Sequence, residues 1–117
     1  MELLTQDHVQ AFRERFPFGS QEGQGAEALI VLKLFHPTSR YTLYVTEGGE
    51  QENGDWTFFG FAISAFGPDC DEWGYTSLSE LKQVSTNGLG VERDIYFPIG
   101  QKQIQEVLPL HGLTEGF

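Results

Sequence analysis

Residues 28–46, Ala28-Leu29-Ile30-Val31-Leu32-Lys33-Leu34-Phe35-His36-Pro37-Thr38-Ser39-Arg40-Tyr41-Thr42-Leu43-Tyr44-Val45-Thr46, decide the fold class. From Leu29 to Phe35 only Lys33 interrupts the apolar run. So short a run suits a strand covered on both faces better than a helix. His36-Pro37-Thr38-Ser39 reads as a turn, and Tyr41–Thr46 is rich in β-branched and aromatic residues, so a second strand follows. The short connection predicts an antiparallel hairpin.

Towards the N-terminus, residues 19–25 form a polar, glycine-rich loop. Before it, Thr5 stands as an N-cap and Val9, Phe12 and Phe16 recur at helical spacing until Pro17, which predicts a helix over 6–15 that buries Leu4, Val9 and Phe12. Towards the C-terminus, Glu47–Asp55 is acidic and carries no large apolar residue, so it reads as a solvated loop. Trp56–Ser64 is a third strand, in which Gly60 signals a bulge or a close backbone approach. Gly67-Pro68-Asp69 turns the chain. Ser77-Leu78-Ser79-Glu80 has capping-box spacing and predicts a short helix over 78–84 with Leu78, Leu81 and Val84 inward. Asn87–Gly90 is loop, Glu92–Phe97 a fourth strand, Gln101–Leu108 a helix ended by Pro109, and 110–117 a tail. The expected fold is therefore α+β, a single domain over 1–117. An antiparallel four-stranded sheet carries an N-terminal helix, a short middle helix and a C-terminal helix, at its edges or on one face.

Seventeen acidic residues against seven basic ones give the 117-residue chain a net charge of −10. That balance disfavours direct nucleic-acid binding and an anionic membrane surface, both of which need clustered Lys and Arg. With Cys70 as the one cysteine, no intramolecular disulfide forms. No apolar run approaches the ~20 residues that span a bilayer, and Met1–Thr5 lacks the features of a signal peptide. The expected location is cytoplasmic.

Several strings occur together in order: Leu3-Leu4-Thr5, Gln21-Glu22, Lys33-Leu34-Phe35-His36-Pro37, Tyr44 with Glu47, Phe58-Phe59-Gly60, Gly74-Tyr75-Thr76-Ser77-Leu78-Ser79-Glu80-Leu81 and Val91-Glu92-Arg93-Asp94-Ile95-Tyr96-Phe97. Over residues 3–98 the chain thereby resembles a family of small acidic proteins of unknown function. That resemblance implies a bacterial, plasmid or phage setting, and supplies no reaction or ligand. The segment after Pro98 departs from the family pattern.

Glu92-Arg93-Asp94 is the sharpest charged motif. In a strand, Glu92 and Asp94 share one face and Arg93 takes the other. The pair of carboxylates suits a cation or a basic group, and Arg93 suits a carboxylate or phosphate. The structural alternative is an ion pair of Arg93 with Glu80 or Glu22. Asp69, Asp71, Gly74 and Glu80 fall on calcium-loop spacing, but Trp73 stands where an oxygen ligand is required. His8, His36 and His111 lie in separate segments without metal-ligand spacing. No metal and no cofactor is expected. Ser20–Gly25 lacks the Lys-Ser/Thr of a phosphate loop and precedes a strand, so that reading is dropped.

What remains is acid beside aromatic: Glu47, Glu50, Glu52 and Asp55 with Trp73 and Tyr75. The expected function is a non-enzymatic acidic binding protein that docks on a basic protein partner, in an accessory or counter-defence role on a mobile element. The alternative is a small-molecule-binding or hydrolase-like protein, with a polar pocket built from Glu22, Glu80, Glu92, Arg93, Asp94 and Tyr96.

Overall fold

The apolar hairpin of the sequence is the middle of the sheet. The computed structural model describes residues 1–86 and 88–113. Its first extended segment is broken: Leu29–Ile30 (β1) and Leu32–Phe35 (β2) are separated by Val31, whose N–H donates to the Val45 carbonyl. β2 pairs antiparallel with Thr42–Glu50 (β3), placing Lys33 opposite Tyr44 and Leu34 opposite Leu43. β3 pairs with Trp56–Ile63 (β4). Glu72–Ser77 (β5) adds to the far side of β4, where Tyr75 meets Phe59 and Trp73 meets Phe61.

The expected loop over 47–55 is thus corrected: β3 runs on to Glu50, and only 51–55 turn. Glycine permits this extension. Gly48 lies against the Phe12 ring and Gly49 against Phe18, so close that a Cβ at either would meet ring carbons at about 3.0 and 2.8 Å. Here tertiary packing overrides the poor strand propensity of glycine.

Beyond β5, Leu78–Gln83 forms a helix (α2), since Gln6–Glu14 is the first (α1). Ser77 caps α2 by accepting from the Glu80 N–H, and Leu81 is its buried residue, whereas Val84 is exposed, contrary to the inward placement expected for it. Ser85–Thr86 (β6) and Leu89–Gly90 (β7) make a small ribbon. Asn87, within the expected loop, lies outside the described residues.

Glu92–Arg93 (β8) completes the five-stranded order β5-β4-β3-β2-β8. The sheet has one strand more than expected, and its last strand is two residues long rather than six. The Asp94 carboxylate accepts from the Tyr96 N–H and the Asp94 carbonyl from the Phe97 N–H. This side-chain-stabilised turn bends the chain off the sheet after one further ladder bond to Lys33. Lys102–Gln103 (β9) pairs with β1, and Ile104–Val107 (α3) continues into a tighter 3₁₀ turn over Leu108–His111. The C-terminal helix is therefore shorter than the expected 101–108. Of the tail, 110–113 close onto the sheet and 114–117 lie outside the described residues.

Helices cover both faces of the sheet, not one. On the first, Phe12 of α1 and Leu81 of α2 pack with Leu32, Leu34, Leu43, Val45, Trp56 and Phe58. On the second, Ile104, Val107 and Leu108 pack with Ile30, Tyr44, Phe61 and Ile63. Within α1 the buried residues are His8, Ala11 and Phe12; Leu3 rather than Leu4 is the buried leucine before it.

One irregularity positions everything that follows. Val45 pairs with Gly60, but the next pairing is Glu47 with Phe59, so Thr46 is an extra residue, a β-bulge. Gly60 lies so near β3 that a Cβ there would overlap the Tyr44 carbonyl oxygen. The close backbone approach read for Gly60 is realised, whereas the bulge lies opposite it, at Thr46 of β3, rather than in its own strand.

Candidate functional site

The bulge reverses the parity of β3. Before it, Leu43 and Val45 face α1; after it, Gly48 faces α1 and Glu47 faces the opposite side with its pair mate Phe59. Glu47 is consequently not a solvated loop acid. It is buried, and its two carboxylate oxygens accept from the Gly19 N–H at 2.9 Å and the Gln21 N–H at 2.8 Å. The glycine-rich loop 19–25 is thereby held by an acid 26 to 28 residues downstream in sequence.

Gln21 adds a second clamp. Its amide nitrogen donates to the carbonyls of Leu29 at 2.7 Å and Thr46 at 2.8 Å, and its oxygen accepts from the Leu29 N–H at 2.6 Å. The side chain thus replaces the ladder bonds that the break at Val31 and the bulge at Thr46 leave unmade.

This arrangement builds a cleft of about 510 Å³. One wall is the loop, with Gly19, Glu22 and Gly23; Thr46 and Glu47 form its floor; Phe59, Trp73 and Tyr75 form the other wall. The aromatic wall is ordered by ring contacts. Trp73 stacks on Phe59 at 5.6 Å with 14° between planes, and Tyr75 tilts against Phe59 at 4.9 Å. Tyr75 is 70% exposed and Trp73 half-buried, so their outer surfaces remain in water. Among the described residues, two carboxylates and no basic residue line the cleft. Glu22 is exposed and in no ion pair among the described residues. Such a site suits a cationic group lying over an aromatic face, with a carboxylate alongside.

Two of the other acids expected on this surface are engaged elsewhere. Glu50 pairs with Arg13 at 3.1 Å. Asp55 accepts from the Trp56 N–H and from the Ser79 N–H and hydroxyl; the Ser79 bond first, and then the backbone bonds, hold its carboxyl below the usual range. Glu52 is exposed in the 51–55 turn. Trp56 is a core residue.

A second cleft, of about 550 Å³, lies at the β2–β8 edge and contains Glu92, Arg93, Asp94 and Tyr96. Glu92 and Arg93 are neighbours in β8 and take opposite faces, whereas Asp94 already belongs to the turn, and all three line this cleft. Arg93 makes no bond to Glu80 or Glu22; its Nε donates to the Glu2 carbonyl at 3.0 Å. Asp94 pairs with Lys33 at 3.5 Å, and the Lys33 ammonium lies over the Tyr44 and Phe97 rings. Glu22 belongs to the first cleft and Glu80 to α2, so the six residues of the polar-pocket reading do not converge. The charges here neutralise one another, which leaves little field for a ligand.

The acid string 69–71 has a structural role in its second member. Asp71 makes two bonds of 2.6 Å to Arg40 and accepts from the Ser64 N–H, and the Arg40 bond chiefly lowers its pKa. Tyr44 and His111 share a hydrogen bond of 2.7 Å beneath α3. Burial pushes the Tyr44 phenol up to about 12 and, with Lys33 and Arg40 nearby, lowers His111.

A family model described as "Protein of unknown function (DUF2958)" matches residues 3–107, extending through the segment after Pro98. No curated protein and no solved structure matches the chain significantly. No described helix is long and apolar enough to cross a membrane.

Proposed function

The chain belongs to that family, and we propose that it acts as a non-enzymatic binding protein that docks a basic segment of a protein partner in the cleft between loop 19–25 and the Phe59–Trp73–Tyr75 wall. The supporting observation is the lining itself: exposed aromatic faces beside Glu22, with no basic residue, in a protein of net charge −10. A Lys or Arg side chain entering the cleft meets the Trp73 and Tyr75 rings. Such a contact is worth ~0.5–2 kcal/mol depending on its desolvation. The field of the whole chain draws a basic partner in and repels acidic ones. An accessory or counter-defence setting on a mobile element is the context we propose for this docking.

The cleft carries its own reporter, because the protein has two tryptophans and Trp56→Phe leaves only Trp73 to emit. Acetylated peptides of about ten residues with lysine or arginine between aliphatic residues are the probes. The expected result is a saturable change in Trp73 emission that weakens as salt rises from about 0.05 to 0.5 M and is reduced by Glu22→Gln. If no basic peptide alters the emission at low salt, the proposal fails; binding indifferent to salt and to Glu22→Gln also overturns it.

A further inference from the structure

The aromatic wall of the cleft is also the outermost strand of the sheet. β5 has six residues, about 20 Å of extended chain, and among the described residues it pairs only with β4. Its register with β4 runs unbroken from Glu72 to Ser77. It contains no proline, no lysine and no bulge, the devices by which sheet edges are normally blunted. Among the described residues, no backbone group from Glu72 to Thr76 bonds to anything on its outer side. The opposite edge is different: β8 is two residues long, and the Arg93 N–H lies against the Met1 sulfur.

Building on the docking reading, we propose that the partner's basic segment binds in extended form as a sixth strand along the outer edge of β5. Trp73 and Tyr75 both project to the cleft side of β5. Alternate side chains of an added strand therefore stand beside them, ~4.5–5.5 Å away between Cβ atoms, where a lysine lies against the Trp73 and Tyr75 rings at the rim of the cleft. The main chain supplies hydrogen bonds and the cleft reads every second residue. Charge selects the occupant. A second copy of this chain also carries −10 and is repelled as a whole; a lysine-bearing segment is attracted instead.

The test is amide hydrogen exchange, read residue by residue by NMR on the full chain, with and without an acetylated peptide of about ten residues in which lysine alternates with valine and threonine. Trp73 emission is recorded on the same samples in the Trp56→Phe background. The expected result is an emission change together with at least ~10-fold slower exchange at alternate amides within 72–77. An emission change with unaltered β5 exchange overturns edge pairing and leaves the docking reading standing. No change in either overturns both. Protection of β5 amides that grows with protein concentration before any peptide is added shows a second copy on the edge and also overturns the proposal.

Discussion

Glu47→Gln is the perturbation that tests the organisation of the cleft. The carboxylate receives two backbone N–H bonds at 2.9 and 2.8 Å in a buried site. A hydrogen bond to a charged group contributes ~1.5–3 kcal/mol. The amide keeps one acceptor oxygen and turns an NH2 donor towards the other N–H, so one bond weakens and the other becomes a donor facing a donor. The expected loss is ~2–4 kcal/mol. For a chain of this length that corresponds to a fall in Tm of about 8–16 °C. Urea unfolding gives the energy, and a lower midpoint at constant slope identifies a stability change. Exchange at amides 19–25 should accelerate more than exchange in the β2–β3 hairpin. Glu52→Gln, in the exposed turn, is the control and should stay within ~0.5 kcal/mol. Glu47→Gln matching that control would refute the view that this carboxylate holds the loop.

Gly60→Ala should be among the most damaging single changes, because its methyl group would overlap the Tyr44 carbonyl oxygen in the backbone of β3; a loss above ~3 kcal/mol or failure to fold is expected on urea titration. Arg40→Ala and Asp71→Asn should each cost ~2–4 kcal/mol, and the double variant should cost less than their sum, since both remove the same bidentate pair. Burial lowers the pKa of His8 and of His111 from 6.5. The unfolded chain therefore takes up their protons first, so stability is full above pH 6.5 and declines as pH falls through the lowered folded values. Replacing both with Gln should flatten the plot of unfolding free energy between about pH 5 and 7.

The parts of the fold legible in the sequence are those set by local pattern. Thr5 and Ser77 announced their helices through capping chemistry, the hairpin through its apolar runs, and Gly60 through its misfit in a strand. β5 was hidden by its neighbours: Asp69 and Asp71 suggest a loop, although Trp73, Tyr75 and Ser77 alternate with Glu72, Gly74 and Thr76 at strand period, a signal present in the letters. The extension of β3 through Glu47-Gly48-Gly49 had no local signal at all, because those glycines answer to rings on Phe12 and Phe18 more than thirty positions away. The cleft was hidden for the same reason. Loop 19–25 lacks phosphate-loop chemistry, and the acid that closes it lies in another strand. The Glu92-Arg93-Asp94 motif was visible, but its alliances with Glu2 and Lys33 depend on which strand lies alongside.

The extra residue at Thr46 acts as a reading frame for one strand. Were Thr46 to pair with Phe59 instead of bulging out, the alternation would run on unbroken: the acid at 47 would point into the hydrocarbon around Phe12, and Thr46 would take its place behind the loop. Length changes of one residue are harmless in most surface connections of a small protein. Here one inserted residue would exchange inside for outside along the rest of the strand, whereas loss of Thr46 alone would leave Glu47 paired with Phe59, so natural variants of this chain are expected to differ in the turn at 51–55 and not to lengthen between 43 and 49.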